Sequence, residues 1–247
     1  MLSHNYILLT LYATLFTWLL TTLGSSMVFF FKKINKTYMD ISLSTAAGIM
    51  LSASFFSLLN PAIENAITLK QTPFLIVSVG FLLGSLFILL TDKINYSNSS
   101  LLMISITMHN IPEGLAIGIA FGSIKYGING ATLTNALILT LAIGLQNFPE
   151  GSAVSLPLRR EKYSRFKSFL YGSLSAVVEP IFGVIGALLT IKISSLMPLF
   201  LSFAAGAMIY VIIKELIPES QKNNHKSLMT LSAIIGFIIM MILDTLM

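Results

Sequence analysis

The sequence contains no cysteine, and only 10% of its 247 residues are charged. Without cysteine, the chain can form neither a disulfide bond nor a thiolate metal site. A charged fraction so far below the roughly 25% of ordinary soluble domains excludes a typical soluble protein. The apolar residues make up 55% of the chain and come in long blocks. These features predict a polytopic membrane protein that folds as a single transmembrane domain over residues 1–247.

The apolar blocks are long enough for eight spans, since a helix needs about 20 apolar residues to cross a bilayer. The first block follows no basic segment and is too long for the apolar core of a signal peptide, so we expect it to be retained. We therefore predict an all-α bundle of eight transmembrane helices, called spans 1 to 8. Their predicted bounds are 6–31, 41–63, 73–92, 100–124, 131–157, 168–191, 196–217 and 228–246.

The basic residues indicate the orientation of these spans. Twelve of the 15 lysines and arginines lie in or beside the loops after spans 1, 3, 5 and 7. Because cytoplasmic loops carry an excess of basic residues, these loops are predicted to be cytoplasmic and both termini to be outside. This topology explains the net charge of +5 without a nucleic-acid partner.

Two short matches predict an internal repeat. The sequence AAG at 46–48 in span 2 recurs at 204–206 in span 7, and a proline follows at Pro61 and Pro218. Spans 2 and 7 cross the membrane in opposite directions, and so do spans 4 and 5. One twofold axis in the membrane plane can therefore relate spans 1–3 to spans 6–8 and span 4 to span 5, an arrangement typical of transporters. The alternative is that AAG recurs because small residues pack helices closely.

Three glutamates lie in the middle of predicted spans: Glu113, Glu150 and Glu179. Each costs about 2.5–3.5 kcal/mol at the centre of a transmembrane helix. The sequence offers no mid-span lysine or arginine to neutralise them, so a trapped cation is the natural partner. The other seven acidic residues are assigned to helix ends or loops; they are Asp40, Glu64, Asp92, Glu161, Glu215, Glu219 and Asp244.

The spacing around these glutamates strengthens the hypothesis of a metal site. HNIPEG at 109–114 in span 4 and QNFPEG at 146–151 in span 5 each place a polar side chain four residues before the glutamate. Residues four apart share a helix face, so these groups can converge if spans 4, 5 and 6 meet. The candidate metal ligands are His109, Asn110, Glu113, Gln146, Asn147, Glu150 and Glu179.

Other interpretations of this cluster remain open at this stage. A single buried glutamate can be a structural accident, and chains of glutamate and histidine also carry protons without metal. An intramembrane metalloenzyme usually requires several nitrogen ligands, whereas only one histidine lies mid-span. A proton-coupled carrier of an organic solute would be expected to have one carboxylate in an uncharged pocket.

With these residues, the sequence resembles the ZIP family (Zrt-/Irt-like proteins) of divalent-metal transporters, and most closely its GufA-like bacterial branch. The resemblance covers nearly the whole chain. It lies in the two hexapeptides, in VVEP at 177–180 and in AAGIMLSASFFSLLNPAIE at 46–64. It implies a metal transporter rather than an enzyme, with no catalytic cofactor and with the metal as transported substrate.

The resemblance also implies roles for individual residues. Two neighbouring metal positions would share Glu113 and Glu150; the first would add His109 and Gln146, and the second Asn110, Asn147 and Glu179. Met50 and Ser57 would line the transport path. Glu64 would stand at its outer opening, although a solvated charge at a helix end explains that residue equally well.

The mechanism implied by the resemblance is import towards the cytoplasm across a bacterial plasma membrane. Spans 1, 4, 5 and 6 would rock against spans 2, 3, 7 and 8 and expose a midplane site to each side in turn. The expected partners are divalent metal ions and the lipid bilayer, not nucleic acid, and a homodimer is left open.

One departure from the family concerns the choice of metal. Many members carry histidine where this chain has Gln146. One imidazole with carboxylate and amide oxygens favours zinc, followed by iron and manganese, with cadmium as a further cargo to test. Residues 93–99 contain no histidine, so a metal-sensing loop between spans 3 and 4 is not expected.

Overall fold

The computed structural model describes residues 6–30, 36–93, 98–127, 131–222 and 225–246. Over these ranges the chain is helical and contains no strand, which confirms the predicted all-α class. In lipid, a helix satisfies every backbone group within its own segment. The helices are α1 Tyr6–Ser25, α2 Lys36–Ala53, α3 Asn60–Thr68, α4 Pro73–Asp92, α5 Asn98–Lys125, α6 Leu133–Arg160, α7 Arg165–Leu174, α8 Val178–Leu188, α9 Thr190–Ile193, α10 Met197–Val211, α11 Ile217–Ser220 and α12 Lys226–Leu246.

Six helical stretches of the described residues are long and apolar enough to cross a membrane, and they correspond to spans 1, 2, 3, 6, 7 and 8. Spans 4 and 5 correspond to α5 and α6, which have 28 residues each. A helix of that length measures about 42 Å and exceeds the roughly 30 Å of hydrocarbon. Their polar side chains make these two helices less apolar than the other six, so the count of eight spans stays a prediction.

The helices pack in two groups. Helix α5 packs most extensively on α8, α6 on α1, α2 on α12, and α4 on α10. We call α1 and α5–α8 the motif bundle, and α2–α4 with α10–α12 the flanking bundle. Exchanging spans 1–3 with spans 6–8, and span 4 with span 5, converts each of these pairs into another. The packing therefore has the pairing that the predicted inverted repeat requires.

The two AAG segments bring helix backbones into direct contact. A Cβ atom on Gly48 would lie 1.8 Å from the carbonyl oxygen of Ala233 in α12. A Cβ atom on Gly206 would lie 2.0 Å from the carbonyl oxygen of Phe81 in α4. Both glycines are thus required by close helix packing, as the alternative explanation holds. They nevertheless occupy equivalent places, since each joins one pair of the flanking bundle.

Helical interruptions also recur in spans 2 and 7. Ser54–Leu59 and Ile212–Leu216 form π-helical turns that begin six residues after Gly48 and Gly206. In both turns the residue before a proline, Asn60 or Ile217, donates its backbone N–H to the carbonyl five residues earlier. Proline has no N–H of its own, so the wider turn shifts the hydrogen bonding around it.

Buried apolar side chains join the two bundles on the side where α6 and α10 end. This apolar plug consists of Leu43, Ala46, Ala47, Met50, Ile88, Ile106, Ala153, Val154, Leu158, Ala207, Met208, Val211, Ile212 and Leu216. That side carries the basic loops of the sequence. The plug therefore closes the centre of the protein from the predicted cytoplasmic face.

Candidate metal centre

The two hexapeptides lie near the middle of α5 and α6, which contact each other. Both helices continue through their internal prolines, Pro112 and Pro149. The helical register therefore places the polar residue and the glutamate of each motif on one face. The contact between the helices brings the two faces together, as the spacing predicts.

Three side chains meet at one point and form what we call the central triad: His109, Glu113 and Glu150. His109 Nε2 lies 3.0 Å from Glu113 Oε1 and 3.3 Å from Glu150 Oε1. One ligand atom of each residue lies within 4.8 Å of the other two. The three residues are 0%, 3% and 1% exposed, respectively. Two carboxylates and one imidazole, gathered out of water, form a donor set for a small divalent cation.

Most polar atoms of the central triad have no hydrogen-bond partner outside the triad among the described residues. These atoms are both ring nitrogens of His109, Oε2 of Glu113 and both carboxylate oxygens of Glu150, and of these His109 Nε2 and Glu150 Oε1 contact members of the triad. A buried polar atom without a partner costs about 1–3 kcal/mol, and a charged group costs more. Such orphaned atoms around one point are expected where an ion is meant to bind.

Gln146 contacts the central triad as a hydrogen-bond donor. Its amide nitrogen donates to Glu113 Oε1, and its amide oxygen lies 3.3 Å from Ser57 Oγ. To ligate a metal, Gln146 would have to turn its oxygen away from Ser57. Its role as a ligand therefore stays a prediction.

A second group of polar residues adjoins the central triad: Asn110, Asn147 and Glu179. Asn147 Nδ2 donates to Glu179 Oε1 at 2.8 Å, and Asn110 Nδ2 donates to the carbonyl of Ser175 at 3.0 Å. The Oδ1 atoms of both asparagines are buried and unpartnered within the described part of the chain. The structure thus brings all seven sequence-predicted ligands to one region, and metal binding by them stays a prediction.

Glu179 lies at a break in span 6 that the sequence analysis does not anticipate. Residues 175–177 form a turn between α7 and α8, and Glu179 lies in the first turn of α8. Pro180 fits the start of a helix, where its missing N–H is not needed. Glu179 donates its backbone N–H to Ala176, three residues back, so the carbonyl of Ser175 can accept from Asn110. The partial positive charge of a helix N-terminus favours a carboxylate here.

Two further residues reach the centre from distant parts of the sequence. Thr17 in α1 donates its hydroxyl hydrogen to Glu179 Oε2. Asp244 in α12, assigned above to a helix end, is half-buried and accepts a hydrogen bond of 2.7 Å from Ser57. Thr17 belongs to a periodic row of hydroxyl residues in span 1 that could have revealed it, whereas no comparable signal marks Asp244.

A cavity of about 490 Å³, the outer cavity, leads to the centre from one side. Its open end carries the exposed Asn65 and Asn135, and its lining reaches Glu113 and Gln146. Ser57 and Asp244 lie along its wall. The cavity lies on the side where α5 ends and α6 begins, which the basic loops predict to be outside. The apolar plug closes the other side.

The three residues expected along the transport path lie in different surroundings. Ser57 lines the outer cavity. Met50 is fully buried in the apolar plug. Glu64 is exposed, and among the described residues it is not part of the cavity lining, where its neighbour Asn65 is found. The path roles of Met50 and Glu64 stay predictions.

The known proteins that this chain matches in sequence are named as zinc transporters. A sequence model of the family described as "ZIP Zinc transporter" matches residues 96–244. The chain is 34% identical to "Zinc transporter ZIP11" of Bos taurus over 98% of each chain. It is 33% identical to "Zinc transporter ZIPB" of Bordetella bronchiseptica, over 91% of this chain and 77% of that one. It is also 33% identical to "Zinc transporter GufA" of Myxococcus xanthus, over 68% and 70%.

Proposed function

The chain belongs to the ZIP family of zinc transporters, and from this premise we propose that its substrate is Zn²⁺, bound during transport by the central triad. Family membership makes it a multi-pass membrane protein that transports divalent metal ions and not an enzyme. The GufA-like relationship expected from the motifs is confirmed. The metalloenzyme and the organic-solute carrier are not favoured.

One observation supports the proposed site more than any other. Glu113 and Glu150 bring two carboxylates to His109 inside the bundle, with orphaned oxygens on both glutamates. A divalent cation at this point would neutralise both carboxylates and give the orphaned atoms a partner. The cost of burying these groups in a membrane protein would then be offset whenever the substrate binds.

The donor set supports zinc as the preferred metal. Zinc binds histidine nitrogen and carboxylate oxygen, commonly with four ligands. The central triad supplies three such ligands, and Gln146 or a water molecule can supply a fourth. The relatives that match the chain are named as zinc transporters. Ferrous iron, manganese and cadmium remain further candidates, and the oxygen-rich second group formed by Asn110, Asn147 and Glu179 is the proposed second position.

The outer cavity supports import by alternating access. It connects Glu113 and Gln146 to the face that the basic loops predict to be outside, while the apolar plug closes the opposite face. We propose that the motif bundle moves against the flanking bundle to open the plug and close the cavity. The proposed location is a bacterial plasma membrane with both termini outside.

The test is zinc uptake into proteoliposomes that contain the purified protein. Glu113→Ala and Glu150→Ala should each abolish uptake while leaving insertion and elution on size exclusion unchanged. Glu161→Ala removes an exposed glutamate in the loop after α6 and serves as the matched control. Uptake at the wild-type rate by both triad variants would remove the case for this site.

A further inference from the structure

Helix α1 carries a row of buried hydroxyl residues on one face. Its members are Thr10, Thr14, Thr17, Thr21 and Ser25, and each is 0% exposed. In the described contacts, the hydroxyls of Thr10, Thr14 and Thr21 donate only to backbone carbonyls of α1. Thr17 differs because its hydroxyl also reaches a carboxylate of another helix. This residue therefore has a contact that helix packing alone does not require.

The contact of Thr17 completes a clamp around Glu179. Thr17 Oγ1 donates to Glu179 Oε2, and Asn147 Nδ2 donates to Glu179 Oε1 at 2.8 Å. Both oxygens of Glu179 are thus held by donors from two other helices, α1 and α6. Glu150, by contrast, has no hydrogen-bond partner for either oxygen outside the central triad among the described residues; its Oε1 lies 3.3 Å from His109 Nε2. The centre contains two kinds of carboxylate, one available to an ion and one held.

Both donors of the clamp have a second acceptor within reach. Thr17 Oγ1 lies 3.0 Å from the carbonyl oxygen of Thr14, and Asn147 Nδ2 lies 3.5 Å from the carbonyl oxygen of Thr17. If Glu179 moves away, each donor can turn to the backbone of α1 instead. Release of the carboxylate then leaves no buried donor unpaired, so opening the clamp costs only the difference between a hydrogen bond to a carboxylate and a weaker one to a backbone carbonyl.

We propose that Thr17 is a positioning residue that holds Glu179 away from the central triad before an ion binds and releases it when the ion arrives. The inference rests on the proposed metal site. A hydrogen bond made only before binding opposes binding by its own free energy. Removal of the Thr17 hydroxyl therefore strengthens metal binding and slows release of the ion.

The size of the effect follows from the kind of bond. Hydrogen bonds to charged groups are stronger than neutral ones. Asn147 still holds the other oxygen of Glu179, so the lower end of their range applies. We expect Thr17→Val to lower the dissociation constant for Zn²⁺ about tenfold.

The experiment is equilibrium Zn²⁺ binding to the purified, detergent-solubilised chain. Thr17→Val keeps the shape of the side chain and removes the hydroxyl, whereas Thr17→Ser retains the hydroxyl and should bind with wild-type affinity. Thr14→Val is the matched control, because it removes a neighbouring hydroxyl of the same row that bonds only to α1 in the described contacts. It should leave the affinity unchanged. Thr17→Ala supports the same comparison if the valine variant does not fold.

A double-mutant cycle tests whether the effect acts through Glu179. In the Glu179→Gln background, Thr17→Val should change the affinity no further, because the clamped carboxylate is gone. An equal gain in affinity in that background would overturn the proposal. Unchanged or weaker binding by Thr17→Val alone would overturn it as well.

Glu113→Ala in the same binding assay separates this inference from the proposed function. If Glu113→Ala binds Zn²⁺ as the wild type does, the proposed site itself is wrong. If Glu113→Ala loses binding and Thr17→Val binds as the wild type does, only the role of Thr17 is overturned.

Discussion

Replacement of Glu150 by glutamine should stabilise the metal-free protein and abolish its response to zinc. Glu150 is 1% exposed, and neither of its oxygens has a hydrogen-bond partner outside the central triad among the described residues. Glutamine has nearly the same shape but no charge, so it removes the burial cost of an ion without opening a cavity. The same change removes one ligand of the central triad.

The expected magnitude follows from the surroundings of Glu150. A carboxylate at the centre of a span costs about 2.5–3.5 kcal/mol. His109 Nε2, 3.3 Å away, offsets part of this cost. We expect Glu150→Gln to raise the free energy of unfolding of the metal-free protein by about 1–2 kcal/mol. At about 2–4 °C per kcal/mol, the melting temperature should rise by roughly 2–8 °C.

Zinc should stabilise the wild type and have little effect on the stability of Glu150→Gln. At a concentration of about 100 times the dissociation constant, binding stabilises the wild type by about 2.7 kcal/mol, or roughly 5–11 °C. The variant should show little of this shift. The assay is thermal unfolding in detergent with and without Zn²⁺, followed by the fluorescence of Trp18, the single tryptophan. Glu161→Gln, on an exposed loop, is the control and should behave as the wild type.

Two results would refute this reasoning. A lower melting temperature of metal-free Glu150→Gln would mean that the carboxylate stabilises the bundle through contacts of its own. A zinc-dependent shift equal to that of the wild type would mean that Glu150 is not a ligand.

Three further predictions concern selectivity, the path and pH. Gln146→His should shift transport towards zinc over manganese, because imidazole is a better zinc ligand than amide oxygen; an unchanged competition profile would show that Gln146 does not contact the ion. Asp244→Asn should raise the zinc concentration for half-maximal uptake several-fold with the maximal rate unchanged, since Asp244 attracts the cation into the outer cavity; unchanged uptake at low zinc would contradict this role. Uptake should fall as the external pH drops from about 7.5 to 5.5, because protons compete for the deprotonated ligands; constant uptake over this interval would oppose binding by the central triad.

Local patterns in the sequence predict much of the fold. Span 3 at 73–92 coincides with α4, and span 8 at 228–246 differs from α12 by two residues at its start. Hydropathy and helix periodicity depend on neighbouring residues, so they can be read without the structure. The convergence of the two hexapeptides follows from the same periodicity once α5 and α6 are in contact.

The parts that the sequence does not predict depend on contacts between distant helices. The break in span 6 depends on Asn110 of span 4, which donates a hydrogen bond to the carbonyl of Ser175. Thr17 and Asp244 reach the centre from α1 and α12, near opposite ends of the chain. The π-helical turns of spans 2 and 7 depend on how the bundle accommodates Pro61 and Pro218. Apart from the row of hydroxyl residues around Thr17, none of these contacts leaves a periodic local pattern around the residues that they join.

The chemistry at the centre departs from the symmetry of the predicted repeat. The two hexapeptides occupy related places, but one begins with His109 and the other with Gln146. His109 lies against both glutamates of the central triad, whereas Gln146 lies between Glu113 and Ser57. Ser57 in turn bonds to Asp244, so a continuous polar chain runs from the outer cavity to the triad. On the other side, the apolar plug lies between the triad and the predicted cytoplasmic face. The polar approach to the triad therefore runs through Gln146, and alternating access requires the apolar plug on the opposite side to open.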